Sequence, residues 1–193
     1  MFPERLLRRV LFTGLNTQNS EPNNGLRISV RELVIFGMLG AFIFCTKLIM
    51  ASLPNIHLVG MLTMVITLVY GKKALIPIYI YVLLEGFYCG FNVLWIPYIY
   101  VWAILWGVTM LLPKNMKAFP GTVIYAAVCC IHGLLYGTLF APVYALIMKM
   151  SFEAAAAWVV AGLPFDFIHG IGNFVFGLFI IPVARLLRKI GGF

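Results

Sequence analysis

Residues 57–91 read HLVGMLTMVITLVYGKKALIPIYIYVLLEGFYCGF. Two apolar runs, 57–71 and 74–91, meet at Gly71-Lys72-Lys73. Each is short against the ~20 residues that a transmembrane helix needs. Folded as one re-entrant hairpin, they would put two lysines in lipid, which is costly. Two short spans with Lys72 and Lys73 at the membrane surface satisfy both charges. Working outward, further apolar runs lie at about 30–53, 94–112, 121–149 and 155–187. The run lengths and the lack of strict alternation exclude long β-strands.

The composition agrees. Of 193 residues, 63% are hydrophobic and 10% are charged, against roughly 25% charged in a soluble domain. A soluble fold of this size could not hide so much apolar surface. The expected class is an all-α polytopic cell-membrane protein with six transmembrane helices. The net charge of +8 reflects membrane orientation, with no nucleic-acid partner, because the basic residues lie mostly between or outside the apolar runs. With the N-terminus cytoplasmic, the inner side holds Arg5, Arg8, Arg9, Arg27, Arg31, Lys72, Lys73, Lys114, Lys117, Arg185, Arg188 and Lys189. Lys47 and Lys149 are left in the outer half. Both termini are therefore expected in the cytoplasm. Residues 1–26 form a tail, with Phe2, Leu6, Leu7, Val10 and Leu11 at helical spacing among arginines and then a polar linker. It reads as an amphipathic surface helix or a disordered segment. Residues 27–193 form the six-helix substrate-binding domain.

Once the chain is oriented, depth can be read along each run. Lys47, Glu85, Tyr98, Trp102, Asp166, His169 and Asn173 fall in the outer half, and His57 in the outer loop after Pro54. Ionisable residues inside a membrane usually face a cavity or a partner. These eight are the candidate substrate-binding residues. Asp166, His169 and Asn173, spaced i, i+3 and i+7, share one helical face. Each also has a plain structural reading: Lys47 as a snorkelling cation, Glu85 as its counter-ion, Asp166 as a helix cap, the histidines and Asn173 as interhelical bonds. The mixed charges suggest a modest polar or zwitterionic solute. The cysteines, Cys45, Cys89, Cys129 and Cys130, read as buried packing residues. Gly37, Ala41 and Cys45 make a small-residue stripe that lets another helix approach; Gly86 with Gly90, and Gly133 with Gly137, repeat the pattern.

His169-Gly-Ile-Gly-Asn173 matches an H-x-x-x-N element of intramembrane proteases, but the paired glutamates such enzymes use are missing. No G-x-S-x-G or Walker A motif occurs. The chain is expected to be no enzyme, with no cofactor and no metal.

Three stretches resemble the substrate-binding S components of energy-coupling factor (ECF) transporters: Leu53-Pro-Asn-Ile-His-Leu58, Trp95-Ile-Pro-Tyr98 and Gly162-Leu-Pro-Phe-Asp-Phe-Ile-His169. The resemblance covers about residues 28–190. It implies a subunit that binds a vitamin-like micronutrient outside. That subunit docks on a transmembrane coupling subunit carrying two ATPases, then topples to release its load inside. The family's first span carries an A-x-x-x-A docking motif, and Gly37, Ala41 and Cys45 stand at the matching positions. Nickel and cobalt members begin Met-His; Met1-Phe2-Pro3 departs from that. A stand-alone secondary transporter is the alternative, and an intramembrane hydrolase ranks behind it.

Overall fold

A computed structural model describes residues 28–113 and 116–191. The expectations for residues 1–26, Arg27 and Lys114 lie outside it. The described residues form helices and connections without a strand: α1 (Val30–Ile49), α2 (Val59–Tyr70), a 3-10 turn (Gly71–Ala74), α3 (Leu75–Cys89), α4 (Tyr98–Leu111), α5 (Ala118–Leu134), α6 (Tyr136–Ile147), α7 (Phe152–Gly177) and α8 (Ile180–Gly191). Four helical lengths are long and apolar enough to cross a membrane: Val30–Ile49, Val59–Cys89, Phe119–Ile147 and Phe152–Gly177. Tyr98–Leu111 is apolar but shorter.

The 31-residue length Val59–Cys89 is not one rod. His57 before α2 and Glu85 near the end of α3 line the same cavity, whereas a straight helix would separate them by about 40 Å. The reversal is at Gly71, whose φ of 58° an L side chain rarely adopts. The Trp106 indole N–H of α4 donates to the Gly71 carbonyl at 3.1 Å. Lys72 and Lys73 sit in this turn. Lys73 pairs with Glu32 at the start of α1, and Lys47 at the end of α1 pairs with Glu85. Helices α1 and α3 therefore run parallel, tied by charge at both ends. Between the ties, Gly40 packs on Pro77 and Ile80. A capping box starts α1: Ser29 Oγ accepts from the Glu32 N–H, and a Glu32 carboxylate oxygen accepts from the Ser29 N–H.

Helix α2 is buried continuously from Val59 to Thr67. It has no polar face to present outward, so it occupies the centre. Its buried Val59, Leu62, Met64, Val65 and Ile66 form the core with Ile78, Val82 and Leu105.

Helices α5 and α6 pack antiparallel to α7. Ala126 meets Gly177, Gly133 meets Gly170 and Gly137 meets Asp166, so one register holds along the pair. Small residues set the close approach. A Cβ on Gly177 would lie 2.6 Å from Ala126 Cα, and backbone cannot yield there. Gly177→Ala should destabilise by about 1–3 kcal/mol. Gly37→Ala, with nothing within 4 Å of the added Cβ, should be neutral or gain up to about 1 kcal/mol from helix propensity. Thermal unfolding in detergent compares the two; equal losses would refute the packing assignment.

Two apolar runs that read as unbroken are interrupted. Leu135 breaks the fifth between α5 and α6, with φ −94° and ψ 4°. The sixth breaks at Leu178–Phe179 between α7 and α8. Two cysteine assignments also change. Cys129 is buried, but Cys45 and Cys89 are exposed, because one lies on the outer face of α1 and the other at the cavity. Gly90 is not a packing residue either: its φ of 85° lets the chain leave α3. Phe91 and Trp95 then fold back over Gly86.

Candidate functional site

The end of α1, the connection after it and the end of α3 surround a cavity of about 310 Å³. Lys47 enters from α1 and Glu85 from α3. Their ion pair is well covered, with 23% of the Lys47 side chain and 5% of the Glu85 side chain exposed. Lys47 Nζ also donates to the Tyr98 hydroxyl at 3.2 Å and sits 5.0 Å from the centre of that ring. The Cys89 thiol donates to the same Glu85 oxygen at 3.4 Å. His57, Tyr136 and His169 complete the chemically distinctive lining.

Trp102 lies beneath, 1% exposed. Its ring centre is 5.6 Å from His132, 5.9 Å from Tyr136, 6.0 Å from Tyr81 and 6.2 Å from both His57 and Tyr98. His57 and His169 approach to 4.8 Å, and Tyr136 and His169 to 4.9 Å. Of the chain's three histidines, His57 and His132 thus flank the indole, and His169 joins the cluster through His57 and Tyr136. Burial and the Lys47 charge hold the His57 imidazole down to about 4, so it is neutral at physiological pH.

This region carries buried polar atoms that the protein leaves without a hydrogen-bond partner: Glu85 Oε2, Tyr81 OH, Trp102 Nε1, His57 Nδ1, His132 Nδ1, His169 Nε2, Thr63 Oγ1 and both amide atoms of Asn173. Most buried polar groups are satisfied, and each exception costs about 1–3 kcal/mol. So many in one neighbourhood is a marked debt of hydrogen bonding. It fits a site whose partners arrive with a ligand.

Of the eight candidate residues, Lys47, His57, Glu85, Tyr98 and His169 line the cavity together. Trp102 does not line it but packs behind the His57, Tyr98 and Tyr136 rings. Asn173, one helical turn below His169, is 1% exposed and lies beside Gly60 and Gly133. Asp166 goes elsewhere. Its two carboxylate oxygens accept from the Gly137 N–H at 3.0 and 3.1 Å. It takes up the free N–H at the start of α6, as a helix cap does, though from a different helix. The space beside it is bounded by Leu134, Val160, Leu163, Pro164 and Phe167, on an apolar outer face.

Sequence reading missed Tyr136, Tyr88, Asn55 and Cys89, which line the cavity, and Tyr81 and His132, which pack on Trp102. A signal existed for three of them. Tyr81 stands one turn before Glu85, and His132 one turn before Tyr136, so each pair shares a helical face. A larger groove of about 680 Å³ lies between α6 and α7, lined mainly by apolar residues such as Ala141, Pro142, Ala145 and Ala155, with Thr138, Lys149 and Ser151 as its polar members. With fewer polar and ring side chains than the smaller cavity, it is the weaker ligand site. Among the described residues, no group of His, Cys, Asp and Glu side chains could hold a metal ion. No protein-family model matches the chain, and no curated protein or solved structure matches it either.

Proposed function

We propose that the chain is a non-enzymatic S component of an ECF importer. It captures a vitamin or related micronutrient from outside. It delivers that solute through a transmembrane coupling subunit driven by two ATPases. In this reading α1, α2, α3 and α4 each cross the bacterial cytoplasmic membrane, and α5–α6 and α7–α8 each cross it as broken helices. Both termini are cytoplasmic.

The observation that carries the reading is the cluster of unpartnered buried donors and acceptors around Trp102, next to the cavity. Buried polar groups are normally partnered by protein or by ordered water, and a solute carrying donors and acceptors would supply those partners here. The partner surface draws support from α1. Gly37 has nothing within 4 Å of an added Cβ, in contrast to Gly40, and Cys45 is exposed. The stripe of Gly37, Ala41 and Cys45 is therefore open to another helix.

The test is purification from native membranes. The chain should bring with it a multi-span coupling subunit and two ATPases. Bulky substitutions, Gly37→Trp and Ala41→Trp, should stop uptake and strip away the ATPases while leaving solute affinity within about threefold. Normal copurification of the double variant would remove the stripe from the interface.

A stand-alone secondary transporter is the second reading. The break at Leu135 favours it, since such transporters build sites at broken helices. A chain that purifies alone and supports uptake without ATP would establish it.

A further inference from the structure

The charge inventory of the cavity restricts what it can hold. Lys47 and Glu85 neutralise each other. His57 is neutral at physiological pH, and a histidine takes part in neither the Lys47–Glu85 nor the Lys73–Glu32 pair. Asp166, which could have added a charge, is bound to Gly137 instead. The position over the Tyr98 ring, where a cationic ligand could sit, is already filled by Lys47. A charged ligand would have to split the Lys47–Glu85 pair or remain unpaired, and uncompensated buried charge costs several kcal/mol.

The walls add shape and polarity. Tyr98, Tyr136, His57 and His169 present rings, with Trp102 beneath them. Ring walls take a flat ring by stacking or by edge contact. The unpartnered atoms on lining residues are Glu85 Oε2, which accepts when ionised, and His57 Nδ1 and His169 Nε2, each of which donates or accepts according to its tautomer. A complementary solute needs both kinds of group. The volume of about 310 Å³ lies at the small end of ligand sites, roughly 300–1,000 Å³.

From these observations, and resting on the reading of this cavity as a solute site, we infer that its ligand is an uncharged, planar heteroaromatic compound of one or two rings, bearing both hydrogen-bond donors and acceptors. Carboxylates, phosphates and quaternary ammonium compounds are excluded by charge, not by size.

The experiment uses the full chain in detergent and three probes of one shape: nicotinamide, nicotinate and 1-methylnicotinamide, which are neutral, anionic and cationic. Tryptophan fluorescence reads binding, and mass spectrometry identifies any small molecule extracted from the purified chain. Nicotinamide should bind at least tenfold more tightly than either charged probe. Glu85→Gln should bring nicotinate up to or past nicotinamide, and Lys47→Met should do the same for 1-methylnicotinamide. The extracted molecule should be an uncharged heteroaromatic. A charged probe preferred by the natural chain, or an extracted carboxylate, phosphate or quaternary ammonium compound, would overturn the inference and leave the solute site standing. No extracted molecule and no binding of any probe would overturn both.

Discussion

Lys47→Met should destabilise the protein by about 3 kcal/mol, near the low end of the range for breaking a buried ion pair. The variant leaves Glu85, 5% exposed, as an uncompensated carboxylate. Glu85→Gln should cost less, because the stranded charge is then Lys47, which is more exposed and retains the Tyr98 ring and hydroxyl. The double variant Lys47→Met with Glu85→Gln should recover most of the loss. Thermal unfolding of the four proteins closes a double-mutant cycle. Losses that simply add would mean the two charges do not stabilise each other.

Tyr81→Phe should separate stability from function. The Tyr81 side chain is fully buried and its hydroxyl has no partner. Removing that hydroxyl relieves a penalty of about 1–3 kcal/mol, so the ligand-free protein should gain stability of that order. If the hydroxyl is reserved for a solute, affinity should fall about tenfold, equivalent to about 1.4 kcal/mol. Trp102→Phe should weaken binding in the same way, but the void it leaves lowers stability, which makes Tyr81 the cleaner probe. A Tyr81→Phe protein that is more stable and binds unchanged would show the hydroxyl to be a packing defect.

Much of this was legible in the sequence, for physical reasons that can be named. Two lysines beside Gly71 cannot lie in lipid, so a turn there could be foreseen. Lys47 and Glu85 could be placed at one depth from orientation alone, and the structure pairs them. The breaks at Leu135 and Leu178–Phe179 could not be read. Neither carries a proline or glycine at the break itself, whereas Pro142 and Pro164 lie inside helices α6 and α7. The grouping of Asp166 with His169 and Asn173 shows the limit of periodicity. All three do face inward from α7. A shared face spread over seven residues still covers about 10 Å of helix axis. Asp166 accordingly meets Gly137, while His169 reaches the cavity.

Native mass spectrometry of the chain, purified from membranes with and without Tyr81→Phe and His169→Ala, gives the most direct test of a solute site around Trp102. The natural chain should carry a small-molecule mass increment that survives gentle purification, and both substitutions should diminish or remove it while the protein remains folded. An increment of the same size and occupancy in all three proteins would place the ligand elsewhere and contradict the proposed function of this cavity.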